Sequence, residues 1–169
     1  IGNRRALYFE REVIKQIVSE FGSRSIWLAQ EEVVGTQNAK KEFDCAFSVN
    51  GYLFIIECKS INVSFGFDKG DIKSVEYRKS KIRTALDEVE SKVDFLIRHR
   101  VSLNKPIPSD VHFIIPVVIS AAVEYIWEKT DRLFISKQLP RVITLAEIPS
   151  LADLARKGLL NDNAYCIPI

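Results

Sequence analysis

An α/β domain with the element order α-β-β-β-α-β and a mixed tail is predicted by three observations. Two long stretches, Asn3 to Phe21 and about Asp71 to Arg98, repeat apolar residues at helical spacing. Between them, two apolar runs are joined by Asn50-Gly51. Asn-Gly is the strongest short-range hairpin signal, because both turn positions need positive φ. After a breaker at Asn104 to Pro108, Val111 to Ser120 is apolar almost throughout, as expected of a central strand covered on both faces.

Each element follows in order. In the first helix Ala6, Leu7, Val13, Ile14, Ile17, Val18 and Phe21 recur at helical spacing, and Gly22 supplies a stop. Ile26 to Val34 reads as a strand interrupted by Gln30-Glu31-Glu32. Glu42 to Val49 and Tyr52 to Lys59 are the hairpin strands, and Ile61 to Lys69 is an irregular loop. The long helix carries Val75, Ile82, Leu86, Val89, Val93 and Leu96 on one stripe. Beyond the apolar strand, Ala121 to Lys129 is expected as a short helix and Leu133 to Ile135 and Val142 to Thr144 as short strands. Pro149 to Lys157 is expected as a short helix with Gly158 near its end. There is no internal repeat, so 1–169 reads as a single domain, with a core of about 3–120 and a C-terminal extension over 121–169.

Composition narrows the function classes. The 169 residues are 47% hydrophobic and 27% charged, which suffices for a full core and excludes an unfolded, collagen-like or low-complexity chain. No apolar run approaches the roughly 20 residues of a membrane span. The longest, Val111 to Val123, holds His112, Pro116 and Ser120. A net charge of +2 neither demands nor forbids a nucleic-acid partner. Cys45, Cys58 and Cys166 are an odd, irregularly spaced set. That argues against a disulfide framework or zinc cluster and for a reducing, cytoplasmic setting, and no basic-apolar leader signals export. The chain opens at Ile1 and has no Met, so it is expected to be part of a longer polypeptide whose other domains are partners.

The register of the hairpin is the informative step. With a two-residue turn, Val49 faces Tyr52, Asp44 faces Glu57 and Glu42 faces Lys59. Side chains alternate with period two. One face then carries Phe43, Cys45, Phe47, Val49, Tyr52, Phe54, Ile56 and Cys58, and is apolar apart from the tyrosine hydroxyl. The other carries Glu42, Asp44, Ala46, Ser48, Leu53, Ile55, Glu57 and Lys59, with all four charges away from the turn. Opposed carboxylates destabilise a sheet by ~0.2–1 kcal/mol, unless a divalent cation sits between them. Hard oxygen ligands suit Mg²⁺ or Mn²⁺, and Lys59 reaches the same space. The plain alternative is a solvated face with a Glu42–Lys59 ion pair and two tolerated acids. Against it, Ala46, Ser48, Leu53 and Ile55 make this face only partly polar.

In the first helix, Glu10 points along the centre of the apolar stripe while Glu12 points to the polar side. A carboxylate there is costly unless paired. Glu10 is therefore either an acid escaping to water or pairing with an arginine, or a third acid facing the hairpin cluster. Cys45 and Cys58 form a diagonal pair, roughly 7–8 Å apart at Cα and too far for an easy disulfide. They read as core residues. His99 and His112 are isolated, and Trp27 and Trp127 read as core or interface.

Phe43-Asp44, twelve residues, then Glu57-Cys58-Lys59 resembles the PD-(D/E)XK nuclease superfamily, which includes type II restriction enzymes and archaeal Holliday-junction resolvases. Its signature is a strand acid, a hairpin, an acid-x-lysine on the next strand, and a preceding helix acid, which Glu10 matches. The resemblance covers roughly Asn3 to Ser120, and Phe43 stands where the name-giving Pro would be. It implies a restriction-endonuclease-like αβββαβ core with a central mixed sheet flanked by helices. It also implies a metal-dependent endonuclease, a Mg²⁺-dependent deoxyribonuclease hydrolysing DNA phosphodiester bonds in defence, restriction or repair. Asp44, Glu57, the Cys58 backbone carbonyl and Glu10 would be metal ligands, and Lys59 would act on the attacking water or the transition state. Arg78 and Lys79 extend the long helix's stripe by a turn and are the expected phosphate contacts. Six Lys/Arg against three Asp/Glu between Ser60 and Leu86 give a modest steering bias. DNA and a second copy of the chain are the expected partners, and no membrane. The alternative is a non-catalytic nucleic-acid-binding or protein-interaction module that retains the fold.

Overall fold

The computed structural model describes residues 2–61, 65–124, 133–136, 139–160 and 166–169. The first helix, α1 (Gly2–Phe21), buries Phe9, Val13 and Ile17, three residues at the 3.6-residue period. Its end is set by Gly22 at φ 85, whose N–H bonds the Val18 carbonyl at 2.9 Å. Then come β1 (Ile26–Val34), β2 (Lys40–Val49) and β3 (Tyr52–Lys59), with β2 antiparallel to both β1 and β3. The interruption expected in β1 is a positive φ of 52 at Gln30.

The hairpin forms in the predicted register, with Val49 opposite Tyr52 and Cys45 opposite Ile56. Asn50 (φ 49) and Gly51 (φ 82) both take the left-handed region, which explains the Asn-Gly pair. The Gly51 carbonyl accepts from His112 N at 2.7 Å and Phe113 N at 3.1 Å, tying the turn to the next strand.

A four-residue helix, α2 (Phe65–Asp68), occupies part of the stretch expected as loop, and 62–64 lie outside the described residues. Asp71 caps α3 (Ile72–Arg98) by accepting the Ser74 N–H at 2.9 Å. This helix is the crossover that lets β4 (Phe113–Ser120) lie parallel to β3, a connection no tight turn can make. β5 (Val142–Ile143) pairs parallel with the later half of β4, and β6 (Ile167–Pro168) antiparallel with its start. Helix α4 (Ile148–Arg156) lies between them in sequence. The strand order is β1-β2-β3-β4-β5, with β6 on β4, giving a mixed six-stranded sheet.

Helices cover both faces. Cys45, Phe47, Phe54, Ile56 and Cys58 pack in one core with α1 and α4. Ala46, Leu53 and Ile55 pack in a second core with Ala85, Leu86, Val89, Val93 and Leu96 of α3. Phe43 departs from the expected face. It lies in the α3 core, its ring 6.5 Å from that of Phe95, at a position beyond the last β2–β3 pair, Cys45–Ile56. The tail is anchored by Arg141, a fully buried side chain whose Nε donates to the Pro116 carbonyl (3.1 Å) and whose Nη1 meets Glu90 of α3 (2.8 Å).

Leu133 to Ile135 is not a strand; Phe134 makes one isolated antiparallel bridge with Pro140. The helix expected over Ala121 to Lys129 is not helical at 121–124, and its remainder, with Trp127, lies outside the described residues. All three cysteines are buried and free, as expected of core residues. Burial pushes the Cys45 thiol up to about 12 and that of Cys166 to about 11. Among the described residues, no helix is long and apolar enough to cross a membrane.

Candidate functional site

The site grows out of the place where the hairpin ladder ends. Hydrogen-bonded pairs alternate along an antiparallel ladder. Counting from Val49–Tyr52, the pair after Cys45–Ile56 would be Phe43–Cys58. Its Cys58 N–H is taken instead by the Asp44 carboxylate, at 2.7 Å from Oδ2. The side chain of Asp44 thereby stands in for a strand carbonyl and is fixed in direction.

The other oxygen of Asp44 lies 2.9 Å from Lys92 Nζ, which reaches in from α3. The same ammonium contacts Glu57 Oε2. Glu57 Oε1 is 2.8 Å from Lys59 Nζ, and Lys59 in turn meets Glu88 of α3 at 2.5 Å. The charges therefore alternate along one chain: Asp44, Lys92, Glu57, Lys59, Glu88. Phe43 closes the inner side, with Lys92 Nζ 5.9 Å from its ring centroid.

Glu57 and Lys92 are buried, at 5% and 6% exposure, whereas the Lys59 side chain retains 27%. Glu57 Oε2 is in ion-pair contact with Lys92 but has no aligned hydrogen bond. Burial and the neighbouring Asp44 charge raise the Glu57 pKa, although Lys92 and Lys59 pull it back. Burial lowers the Lys92 pKa, but Asp44 and Glu57 outweigh it, and the net direction is up from 10.5. Lys59 is likewise raised, by Glu57 and Glu88 against the opposing effect of burial.

A base raised on folding stabilises the fold fully below its ordinary pKa, and this contribution is lost as pH rises through the folded value. The stability gap between wild type and Lys92→Met should therefore hold roughly constant from about pH 8, where the carboxylates are ionised, to about pH 10 and narrow above it. Urea unfolding across that range checks this.

Three predicted residues, Asp44, Glu57 and Lys59, are brought together. Others are not. Glu10 accepts from Gln30 Nε2 at 2.7 Å, outside this charge chain, and α1 packs on the opposite sheet face. Cys58 enters the cluster through its N–H; its thiol belongs to the α1 core. Glu42 does not face Lys59, because the β2–β3 pairing has ended; it is exposed and opposite Glu32 on β1.

Arg78 is not placed as a surface phosphate contact. Its guanidinium is buried, bidentate to Glu124 (2.6 Å from both Nε and Nη2), and 5.0 Å from the Phe67 ring centroid. Lys79 is partly exposed and pairs with Glu76 at 3.0 Å. His99 Nδ1 accepts the Thr36 N–H at 3.2 Å, a packing role.

Lys92 and Glu88 were missed by the sequence reading. The signal for Lys92 was available: it follows Val89 by three residues and precedes Leu96 by four, so it lies beside buried positions of the helix.

The donor set suits a hard divalent ion in part. Carboxylate oxygens of Asp44 and Glu57, from neighbouring strands, converge on one cationic atom, and Glu57 Oε2 is buried without an aligned donor. Among the described residues, no group of three or more His, Cys, Asp or Glu is arranged to hold a metal. Comparison of the chain with family models, curated proteins and solved structures finds no match.

Proposed function

We propose that the chain is a metal-dependent endonuclease domain that hydrolyses DNA phosphodiester bonds, built on a restriction-endonuclease-like core and acting in defence or repair. The observation that carries this reading is the convergence of Asp44 and Glu57 on one cation position, with Lys59 beside it and more exposed. The antiparallel β1-β2-β3 start and the α3 crossover to a parallel β4 are in keeping with the core that the sequence resemblance implies.

Asp44 and Glu57 would hold Mg²⁺ or Mn²⁺. When bound, such an ion supplies charge neutralisation at the scissile phosphate and lowers the pKa of water. Lys59, held by Glu57 and Glu88, would orient the attacking water or offset the charge growing on phosphorus. Attack in line expels the 3′ oxygen. On α3, Lys73, Tyr77, Lys81 and Thr84 lie on the same side as Glu88 at three- and four-residue spacings. Tyr77 is 60% exposed, with Lys81 5.3 Å from its ring centroid. This basic and aromatic stripe is a better phosphate track than the buried Arg78.

A second reading is favoured by one observation. Lys92 already neutralises the acid pair from within, as it would in a non-catalytic module that keeps the fold. Incubation of supercoiled plasmid with Mg²⁺ separates the two. Nicking that disappears with chelator is expected of the endonuclease, and a wild-type protein that cleaves neither DNA nor RNA is expected of the module.

A further inference from the structure

We propose that Lys92 is a resident counter-cation, whose ammonium occupies the place of a divalent ion between Asp44 and Glu57 and is expelled when the ion binds. This rests on the metal-site reading above and adds a residue to which that reading gives no role. Lys92 Nζ touches both acids at once, and its side chain is 8% exposed.

Lys92 offsets one of the excess negative charges of this chain of groups. Three carboxylates and two ammoniums leave one negative charge in excess across Asp44, Lys92, Glu57, Lys59 and Glu88. A dication added beside a retained Lys92 would set three positive charges against two acids at contact distance, where like charges repel strongly. Removal of Lys92 without a replacement would instead leave Asp44 and Glu57 opposed across neighbouring strands. One or the other cation is therefore required, and the two exclude each other.

The flexible four-carbon stem of lysine lets the ammonium swing outward from its place over the Phe43 ring. The expelled ammonium then faces the side from which a phosphate would approach, so ion binding and polyanion binding reinforce one another. In the free protein, the competing ammonium keeps the ion affinity low.

Two measurements test this, with Mn²⁺ and Mg²⁺ alone as probes. In wild-type protein, acylation of Lys92 by an amine-reactive ester, read by mass spectrometry, should be slow without metal and rise several-fold at saturating Mn²⁺. Lys92→Met should bind Mn²⁺ about tenfold more tightly by calorimetry and gain more melting temperature from it than wild type does. If Mn²⁺ raises the wild-type melting temperature while Lys92 stays protected, or if the variant binds no more tightly, the counter-cation idea is overturned and the metal site stands. If neither protein binds a divalent ion, the metal-site reading falls with it. The labelling arm needs no substitution, so a poorly folding variant does not blunt the test.

Discussion

Asp44→Ala is expected to lose plasmid nicking by at least about 10²–10³-fold, the scale on which removal of one electrostatic element of an active site is felt. It is also expected to destabilise the protein by about 1–3 kcal/mol, because the buried Lys92 ammonium keeps Glu57 but loses its second acid partner. The Cys58 N–H loses its acceptor in the same step. Asp44→Asn separates the two effects: an amide oxygen can still accept from Cys58, so most of the fold's stability should return while nicking stays absent. Nicking by a folded Asp44→Ala protein would remove Asp44 from the active site altogether. Chemical denaturation alongside the nicking assay gives both numbers.

Arg78→Ala should act on stability and not on DNA affinity. Its partner Glu124 has a side chain only 3% exposed, and Ser120 Oγ donates to the same carboxylate at 2.6 Å. Loss of the guanidinium strands a buried negative charge, at a cost of about 3–5 kcal/mol. Glu124→Gln in the same chain should recover a large part of that loss, as a double-mutant cycle would read it. Salt titration of DNA binding should keep its slope in any Arg78 variant that remains folded, whereas Lys73→Ala and Lys81→Ala together should reduce it by about two. A changed slope for Arg78→Ala would return that residue to the phosphate track.

The parts of the fold that were legible are those written in local chemistry. Asn50-Gly51 sets the turn, the turn sets the register, and period two then puts Asp44, Glu57 and Lys59 on one side. The limit of that logic is visible two residues beyond Cys45. Asp44 keeps the face that alternation predicts, whereas Phe43, next to it and beyond the last β2–β3 pair, turns to the same α3 core.

Helix α3 shows a different limit. A stripe counted from its large apolar residues omits Ala85, which is fully buried. Inclusion of Ala85 turns the buried direction towards Arg78 and Lys92, two long basic side chains that a hydrophobic count passes over. Periodicity gives the direction of such residues but not their partners. Glu124 lies 46 residues from Arg78 and Asp44 lies 48 from Lys92, and tertiary packing alone joins them. In the tail, β5 falls within the strand expected over Val142 to Thr144, whereas the two-residue β6 carries too little pattern to be told from a turn.

The bond from the Cys58 amide to Asp44 has one more consequence. A carboxylate that also serves as a main-chain acceptor cannot turn towards an incoming ligand without loosening the strand it holds. Rotation of this one side chain is thus coupled mechanically to the open end of the hairpin, and the exchange rate of a single amide proton reports on it.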